Sequence, residues 1–291
     1  MPGSQASPTQ DDAAKLARLV KQHAQTSRLM GVDFVPVYRA RGVEALSQPA
    51  GDQPAEAPLA VTPAPPAPPA TPPAAVPAPP VRVVVEAKPA GPRDRAAQQA
   101  RLDELRARYE KDAPHTQFVT AHTKIVFGEG DPAARLVFIG EAPGEEEDRT
   151  GRPFVGRSGE LLTKMIGGMG LKREDVYICN IMKTRPPNNA TPTGREIEIC
   201  EPYLREQVSI IGPRVIVTLG LPASRAILRS DESMTKMRGR WRTYSLMDGG
   251  SVDVMPTFHP AYVLRNYTDE TRRTVWGDLQ LVMRKLEQSP A

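Results

Sequence analysis

The sequence predicts an α/β fold in which helices cover both faces of a short, mainly parallel sheet of four strands. Short apolar runs rich in β-branched and aromatic residues alternate with segments of helical length, and three of these runs end in polar turns. Helical connections between strands favour parallel pairing. Because the carboxyl ends of parallel strands meet at one edge, we expect the three polar turns to converge there.

The predicted elements follow one another from residue 95 onward. The segment RAAQQARLDELRARYEK at 95–111 is the first helix. The other predicted helices are 157–169, 194–211, 222–228 and 270–287, and the predicted strands are 136–140, 176–181, 215–220 and 253–258.

Proline divides the chain into parts. The chain has 291 residues and 31 prolines, and residues 46–95 contain the run TPAPPAPPATPPAAVPAPP. A Pro/Ala-rich segment of this kind cannot bury a core and forms an extended spacer. We therefore predict a helical segment at 1–45, a disordered linker at 46–95 and one folded domain at 96–291.

Composition excludes several classes of protein. Two cysteines provide no disulfide framework, which suits a reducing cytosol. No long apolar run predicts a membrane span, and the amino-terminal residues lack a secretory signal pattern. We expect a soluble, cytoplasmic protein, with a monomer as the default state. The formal charge of +4 is mild, so any surface for nucleic acid must be local.

The first polar turn follows the apolar run LVFI and reads GEAPGEEEDRTGRPFVGRSG, residues 140–159. The Pro143-Gly144 turn ends the strand, and a run of carboxylates at 145–148 follows it. Phe154 stands alone among polar and glycine residues. It either plugs the edge of the core or offers its face to a flat ligand.

The second polar turn, in VYICNIMKTRPPNN at 176–189, carries Asn180 at a strand end. A carboxamide there can read the donor and acceptor edge of a base, although asparagine-rich turns are also common as plain turns. The third turn, in VMPTFHPAYVLRN at 254–266, delivers His259 into a proline turn. The position of this histidine at a strand end makes a catalytic role as credible as a structural one.

The three turns, in this order, resemble the motifs of the family 4 uracil-DNA glycosylases. The matching segments are GEAPGEEED, GRPFVG, NIMKTRPPNN and HPAYVLR, with VFGEGDPAA and TKMRGRW also in family places. The resemblance covers residues from about 100 to 288 and implies an α/β/α sandwich around a short parallel sheet. It also implies an enzyme that removes uracil from DNA and leaves an abasic site, so that 96–291 would be a catalytic domain for base excision repair.

The resemblance assigns roles around the base. Phe154 is expected to stack on a flipped uracil, and Asn180 to hydrogen-bond its pyrimidine edge. Glu147 would lie near uracil C5 and crowd a thymine methyl group, or else be a solvated member of the acidic run. His259 would donate to uracil O2 and stabilise the departing anion.

The residue that positions water is less well defined by sequence. Other glycosylase families carry a water-activating aspartate where this chain has Ala142, so Ala142 is expected only to line the pocket. Glu141 and Asn189 remain the two candidates for holding the water, and the sequence does not rank them.

DNA contacts are expected from residues close to the motifs. Leu264 and Arg265 resemble a loop that fills the gap left by a flipped base. Lys183 and Arg185 could meet phosphates, although basic side chains are often simply solvated.

The chain departs from the family at the iron–sulfur ligands. The family holds a 4Fe–4S cluster on four cysteines, and the matching positions here are Ala113, Thr116, Thr184 and Cys200. Neither alanine nor a threonine hydroxyl replaces a thiolate ligand. We therefore expect no cluster, no other metal and no cofactor.

Two further questions stay open at the level of sequence. The amino-terminal helix is either idle or docks a repair or replication protein at the distance set by the linker. The alternatives to uracil excision are a glycosylase for other deaminated bases and a catalytically inactive DNA-binding scaffold. The chain lacks the arginine-rich insertion of the family's DNA-trapping relatives, so turnover is expected.

Overall fold

A computed structural model describes residues 94–288. The predicted helical segment at 1–45 lies outside the described residues, and so does the predicted linker at 46–95 except for its last two residues. Those two belong to the fold: Asp94 caps the first helix by accepting hydrogen bonds from the Ala96 and Ala97 amides, and Arg95 begins that helix.

The described residues form one six-stranded sheet in the order β1-β3-β2-β4-β6-β5. The four central strands are parallel, and both edge strands pair antiparallel. The strands are β1 (Glu129–Gly130), β2 (Leu136–Gly140), β3 (Tyr177–Asn180), β4 (Val215–Leu219), β5 (Arg242–Ser245) and β6 (Ser251–Thr257).

The prediction of a four-stranded sheet was wrong in number, because it missed the two edge strands. β1 is two residues long, which is too short for an alternating pattern to be visible. β5 carries mostly polar residues and has only Tyr244 buried, so it lacks the apolar content of the central strands. The four predicted strands correspond to the parallel centre.

Helices pack on both faces of the sheet, as predicted. Val137 and Ile139 face one apolar cluster, and the alternate residues Leu136 and Phe138 face the other. Within 94–288, no helix is both long enough and apolar enough to span a bilayer. The helices are α1 (Arg95–Asp112), α2 (Glu145–Thr150), α3 (Arg157–Gly168), α4 (Gly194–Ile211), α5 (Leu221–Leu228), α6 (Met234–Met237), α7 (Pro260–Arg265) and α8 (Asp269–Glu287).

The register of the sheet brings the polar turns to one edge. Gly140 pairs with Asn180 at the ends of β2 and β3, and the Ile181 amide donates to the Gly140 carbonyl at 3.1 Å. Leu219 pairs with Thr257 at the ends of β4 and β6. The turns that follow these four strands therefore start side by side, which confirms the expected convergence.

Candidate active site

A cavity of about 700 Å³ opens where the central strands end. Its volume is within the range of small-molecule sites. It brings together predicted residues from all three motifs, namely Glu141, Ala142, Glu147, Phe154, Asn180, Asn189, His259 and Arg265.

Phe154 forms one wall of the cavity. Its side chain is buried, and its ring centroid lies 5.6 Å from that of His259 at an interplanar angle of 35°. Its φ of 52° is in the left-handed region, which costs a residue with a Cβ about 1 to 2 kcal/mol. The surrounding loop must therefore hold the backbone in place.

Glu147 holds that loop. Its carboxylate accepts hydrogen bonds from the amides of Val155 at 2.8 Å, Gly156 at 2.9 Å and Gly144 at 3.1 Å. The side chain is buried, so the alternative of a solvated carboxylate was wrong. Charge-assisted bonds of this kind are stronger than neutral ones, and they fix the loop after β2 against the loop that carries Phe154.

Gly140 sits beneath the cavity, where three residues meet. A Cβ built on it would lie 2.3 Å from Asn180 Oδ1 and 2.5 Å from Phe154 Cζ. Real Cβ atoms do not approach other atoms this closely. The absence of a side chain at 140 is therefore what allows the Asn180 carboxamide and the Phe154 ring to lie next to each other.

Asn180 presents an unpaired polar atom in this region. The residue is 1% exposed, and its Oδ1 has no hydrogen-bond partner among the described residues. A buried polar atom without a partner costs free energy. Its position in the cavity lining makes a ligand donor the natural partner.

His259 stands at the amino-terminal cap of α7, where its Nδ1 accepts from the Ala261 amide at 3.0 Å. In the neutral ring the proton therefore resides on Nε2. Burial lowers the pKa of His259 to about 4; the positive charge of Arg265 lowers it further, while Glu147 acts in the opposite direction. The site therefore contains a neutral imidazole that can donate one hydrogen bond.

The two candidates for holding water lie in different surroundings. Glu141 is half-buried, and burial raises the pKa of its carboxyl group, while a hydrogen bond from Thr191 opposes that effect. Asn189 is exposed at the rim, where its Oδ1 accepts from Arg185 Nε at 2.9 Å. Sequence analysis missed Thr191, which lies in an ordinary-looking turn.

A second residue that the sequence analysis missed is Gly220. With a φ of 90°, it begins the turn after β4, and a Cβ there would lie 2.9 Å from the Cβ of His259. A glycine at the end of the predicted strand 215–220 was the available signal. It became meaningful only when the sheet placed β4 beside β6.

Comparison with known proteins shows the family to which the chain belongs. The model of the family described as "Uracil DNA glycosylase superfamily" matches residues 127–280. The chain belongs to this superfamily. The resemblance drawn from the motifs is thereby confirmed at the level of the family.

Individual relatives support the same assignment. The chain is 50% identical over 159 residues to the type-4 uracil-DNA glycosylase of Thermotoga maritima, which covers 54% of this chain and 81% of that protein. It is 44% identical over 163 residues to the type-4 enzyme of Archaeoglobus fulgidus, covering 55% and 81%. It is 43% identical over 168 residues to that of Saccharolobus solfataricus, covering 56% and 76%.

The four residues predicted to contact DNA do not lie together on one exposed surface. Arg265 is exposed and lines the cavity, and Arg185 lies half-buried at the rim, 3.4 Å from Glu145. Leu264 does not line the cavity; it is half-buried against the core on the α3 and α8 side of the sheet. The prediction for Lys183 was wrong, because its side chain is fully buried and cannot reach a phosphate.

An aromatic pair occupies the rim near α7. Tyr262 is 39% exposed and stacks on Phe258, with ring centroids 4.7 Å apart and an interplanar angle of 22°. Both residues line the cavity. The cavity of this chain therefore has an aromatic surface near α7, where Leu264 was expected.

The positions that match the family's cluster ligands do not suit an iron–sulfur cluster. Thr116 Oγ1 donates to the Ala113 carbonyl at 2.8 Å, and Thr184 is buried. Burial raises the pKa of the Cys200 thiol to about 11, which favours the protonated form. Among residues 94–288, no group of three or more His, Cys, Asp or Glu side chains is arranged as a metal site.

Tyr109 lies at this place instead. The side chain is fully buried, its hydroxyl faces Cys200 and Thr184, and its ring stacks on His115 with a centroid distance of 5.7 Å. The ring of Tyr203 meets it edge-on at 4.9 Å. Aromatic packing thus joins α1, the segment after it and α4.

Replacing Gly140 by alanine should destabilise the fold by about 1 to 3 kcal/mol, because the new methyl group overpacks the contact between Asn180 and Phe154. Urea unfolding of the two proteins measures the difference. Gly167→Ala is the control, since a Cβ there meets nothing within 4 Å. Equal stabilities for Gly140→Ala and Gly167→Ala would contradict the close packing described above.

The imidazole of His259 should titrate at about 4. NMR titration, with His259→Gln to assign the signal, measures this value. The unfolded chain binds the proton first, near 6.5, so stability should fall as the pH drops from about 6.5 to about 4 and should fall less in the variant. A titration midpoint near 6.5 in the folded protein would show that the ring is not desolvated.

Proposed function

We propose that this protein is a uracil-DNA glycosylase, a hydrolase that acts on N-glycosyl bonds in DNA repair. It rotates a deoxyuridine out of DNA, breaks the bond between base and sugar, and leaves an abasic site. One observation carries the assignment: the buried, unpaired oxygen of Asn180 shares a cavity with the Phe154 ring and the neutral His259 ring. Membership of the superfamily and the similarity to type-4 enzymes support it.

Base selection would rest on Asn180 and Phe154. The Oδ1 atom would accept from uracil N3–H, while the amide nitrogen would donate to O4. Cytosine has no N3–H and carries an amino group at C4, so it would leave the Asn180 groups mismatched in a buried site. The Phe154 ring would stack on the base, and the hydrogen bonds of Glu147 to the Val155 and Gly156 amides hold its loop in place.

Glu147 is inferred to act mainly through the loop. Its carboxylate oxygens are taken up by three backbone amides, yet the residue also lines the cavity. A carboxylate fixed in this way presents a rigid wall. Such a wall would oppose the methyl group of thymine if uracil C5 points towards it.

Bond cleavage would depend on His259. When the N-glycosidic bond breaks, its electron pair moves to uracil N1 and spreads to O2, while the sugar becomes an oxocarbenium ion. The Nε2–H group of the neutral ring would donate to O2 and stabilise this anion. Preorganised donors of this kind contribute about 3 to 4 kcal/mol in other enzymes.

Water must then add to the sugar cation, and its proton passes to the departing uracil anion or to solvent. We infer that Glu141 holds this water, because its carboxylate is half-buried in the cavity lining. Asn189 is better suited to the rim, since it is exposed and already accepts from Arg185. Ala142 would contribute only cavity wall.

DNA contacts would come from the rim. Arg265 is exposed beside the cavity and can meet a phosphate. The Nε and Nη2 atoms of Arg185 contact Asn189 and Glu145, so Arg185 would reach a phosphate through Nη1. The exposed face of Tyr262 is suited to stack on a base next to the flipped nucleotide. Leu264, packed on the core, would support this helix rather than enter the DNA.

The protein is further inferred to work without an iron–sulfur cluster. The support is chemical: one cysteine, Cys200, stands where the family has four, and the Tyr109 hydroxyl faces it. The aromatic contacts of Tyr109 with His115 and Tyr203 would hold together the segments that the cluster joins in the family.

Excision of uracil from a labelled single-uracil oligonucleotide tests the proposed function. The wild type should produce abasic sites at uracil and not at thymine or cytosine. His259→Gln should lower the rate about 100- to 1,000-fold, because it removes the donor to O2. His122→Gln is the matched control, since this histidine lies outside the cavity lining.

Three results would contradict parts of this assignment. DNA binding without any base release would favour the inactive scaffold. Release of hypoxanthine or xanthine in preference to uracil would favour the other glycosylase class. Stoichiometric iron with the visible absorption of a cluster, after anaerobic purification, would overturn the cofactor proposal. A variant with Ala113→Cys, Thr116→Cys and Thr184→Cys is the positive control for that measurement.

A further inference from the structure

A fully buried lysine lies directly behind Asn180. Lys183 is 0% exposed, and its Nζ donates to the Asn180 carbonyl oxygen at 2.8 Å. β3 ends at Asn180, and the peptide that follows is held on its amide side, because the Ile181 amide donates to the Gly140 carbonyl at 3.1 Å. The ammonium group holds the carbonyl side of the same peptide, directly after the residue whose side chain lies in the cavity lining.

The ammonium group is itself held from two other sides. Gln207 Oε1 accepts from Nζ at 2.6 Å, and the Phe127 ring lies below it at 5.2 Å. Gln207 is immobilised in turn, because its Nε2 donates to the Phe127 carbonyl and to the Tyr177 hydroxyl, each at 3.0 Å. Every one of these groups is buried, so the arrangement is rigid.

Burying the Lys183 ammonium group lowers the stability of the fold. Lysine is almost never fully buried without a partner charge, and among the described residues no carboxylate forms a salt bridge with Lys183. The neighbouring titratable groups are the thiols of Cys179 and Cys200. An apolar side chain of similar length would serve packing better, which indicates a role other than stability.

We propose that Lys183 is a positioning residue for Asn180. By fixing the carbonyl of residue 180, the ammonium group fixes the direction in which the Asn180 carboxamide enters the cavity. The inference rests on the proposed function, because it concerns the residue that would read uracil. A displacement of about 1 Å at such a group can lower a rate about 100-fold.

A double-mutant cycle separates positioning from general destabilisation. Lys183→Met should lower kcat/KM for uracil excision about 10- to 100-fold, with kcat contributing to the loss. In an Asn180→Ala background the same change should cost little, because the residue on which Lys183 acts is gone. In a His259→Gln background the full loss should remain. An equal loss in the Asn180→Ala and His259→Gln backgrounds, or no loss in the wild type, would overturn the proposal.

Gln207→Met provides a second variant if Lys183→Met folds poorly. It removes one of the two oxygen acceptors of Nζ while leaving Lys183 in place. It should show a smaller loss that again disappears with Asn180→Ala. A loss that persists in that background would count against positioning.

A readout independent of excision keeps the two proposals apart. The side-chain amide signal of Asn180, assigned with Asn180→Ala, should shift in the NMR spectrum of Lys183→Met. If the wild type excised nothing, the proposed function would fail. The shift of the Asn180 signal would still show whether Lys183 positions Asn180. An unchanged signal in the folded variant would overturn the positioning role even if excision were strong.

Discussion

The site depends on one steric constraint, the absence of a side chain at Gly140. Because β2 and β3 are in register, residue 140 lies beside Asn180, and the Phe154 ring folds over the same point. Any Cβ there would push apart the carboxamide and the ring. The parallel pairing of β2 and β3 thus determines whether the Asn180 carboxamide and the Phe154 ring can lie in one cavity.

Around this point, buried and half-buried polar side chains are held by backbone and side-chain hydrogen bonds. Glu147 accepts from three backbone amides, His259 accepts from the Ala261 amide, and Lys183 is enclosed by two oxygens and a ring. In a low dielectric such bonds are strong and an unpaired group is costly. Asn180 Oδ1 is the exception in the described cavity lining, and it is the atom that we propose accepts from uracil.

Around Tyr109 and Cys200, where the family would carry its cluster, aromatic packing connects separate segments of the chain. A cluster joins its ligands by covalent bonds to iron, whereas Tyr109 joins α1, the following turn and α4 by burial and ring contacts. This packing lies on the side of the sheet opposite α3 and α8.

The sequence by itself determined the parallel centre of the sheet, the convergence of three turns and the residues at their ends, because periodicity and strand ends are local signals. Only the tertiary structure decided what Lys183, Leu264 and Glu147 do, since a charge, an apolar group or a carboxylate near a motif has the same local pattern whether it faces water or the core. The edge strands β1 and β5 were missed for a related reason: their pairing is specified by neighbouring strands, not by their own few residues. Burial depends on the whole fold, and it places Lys183 among internal hydrogen-bond acceptors and not at a phosphate.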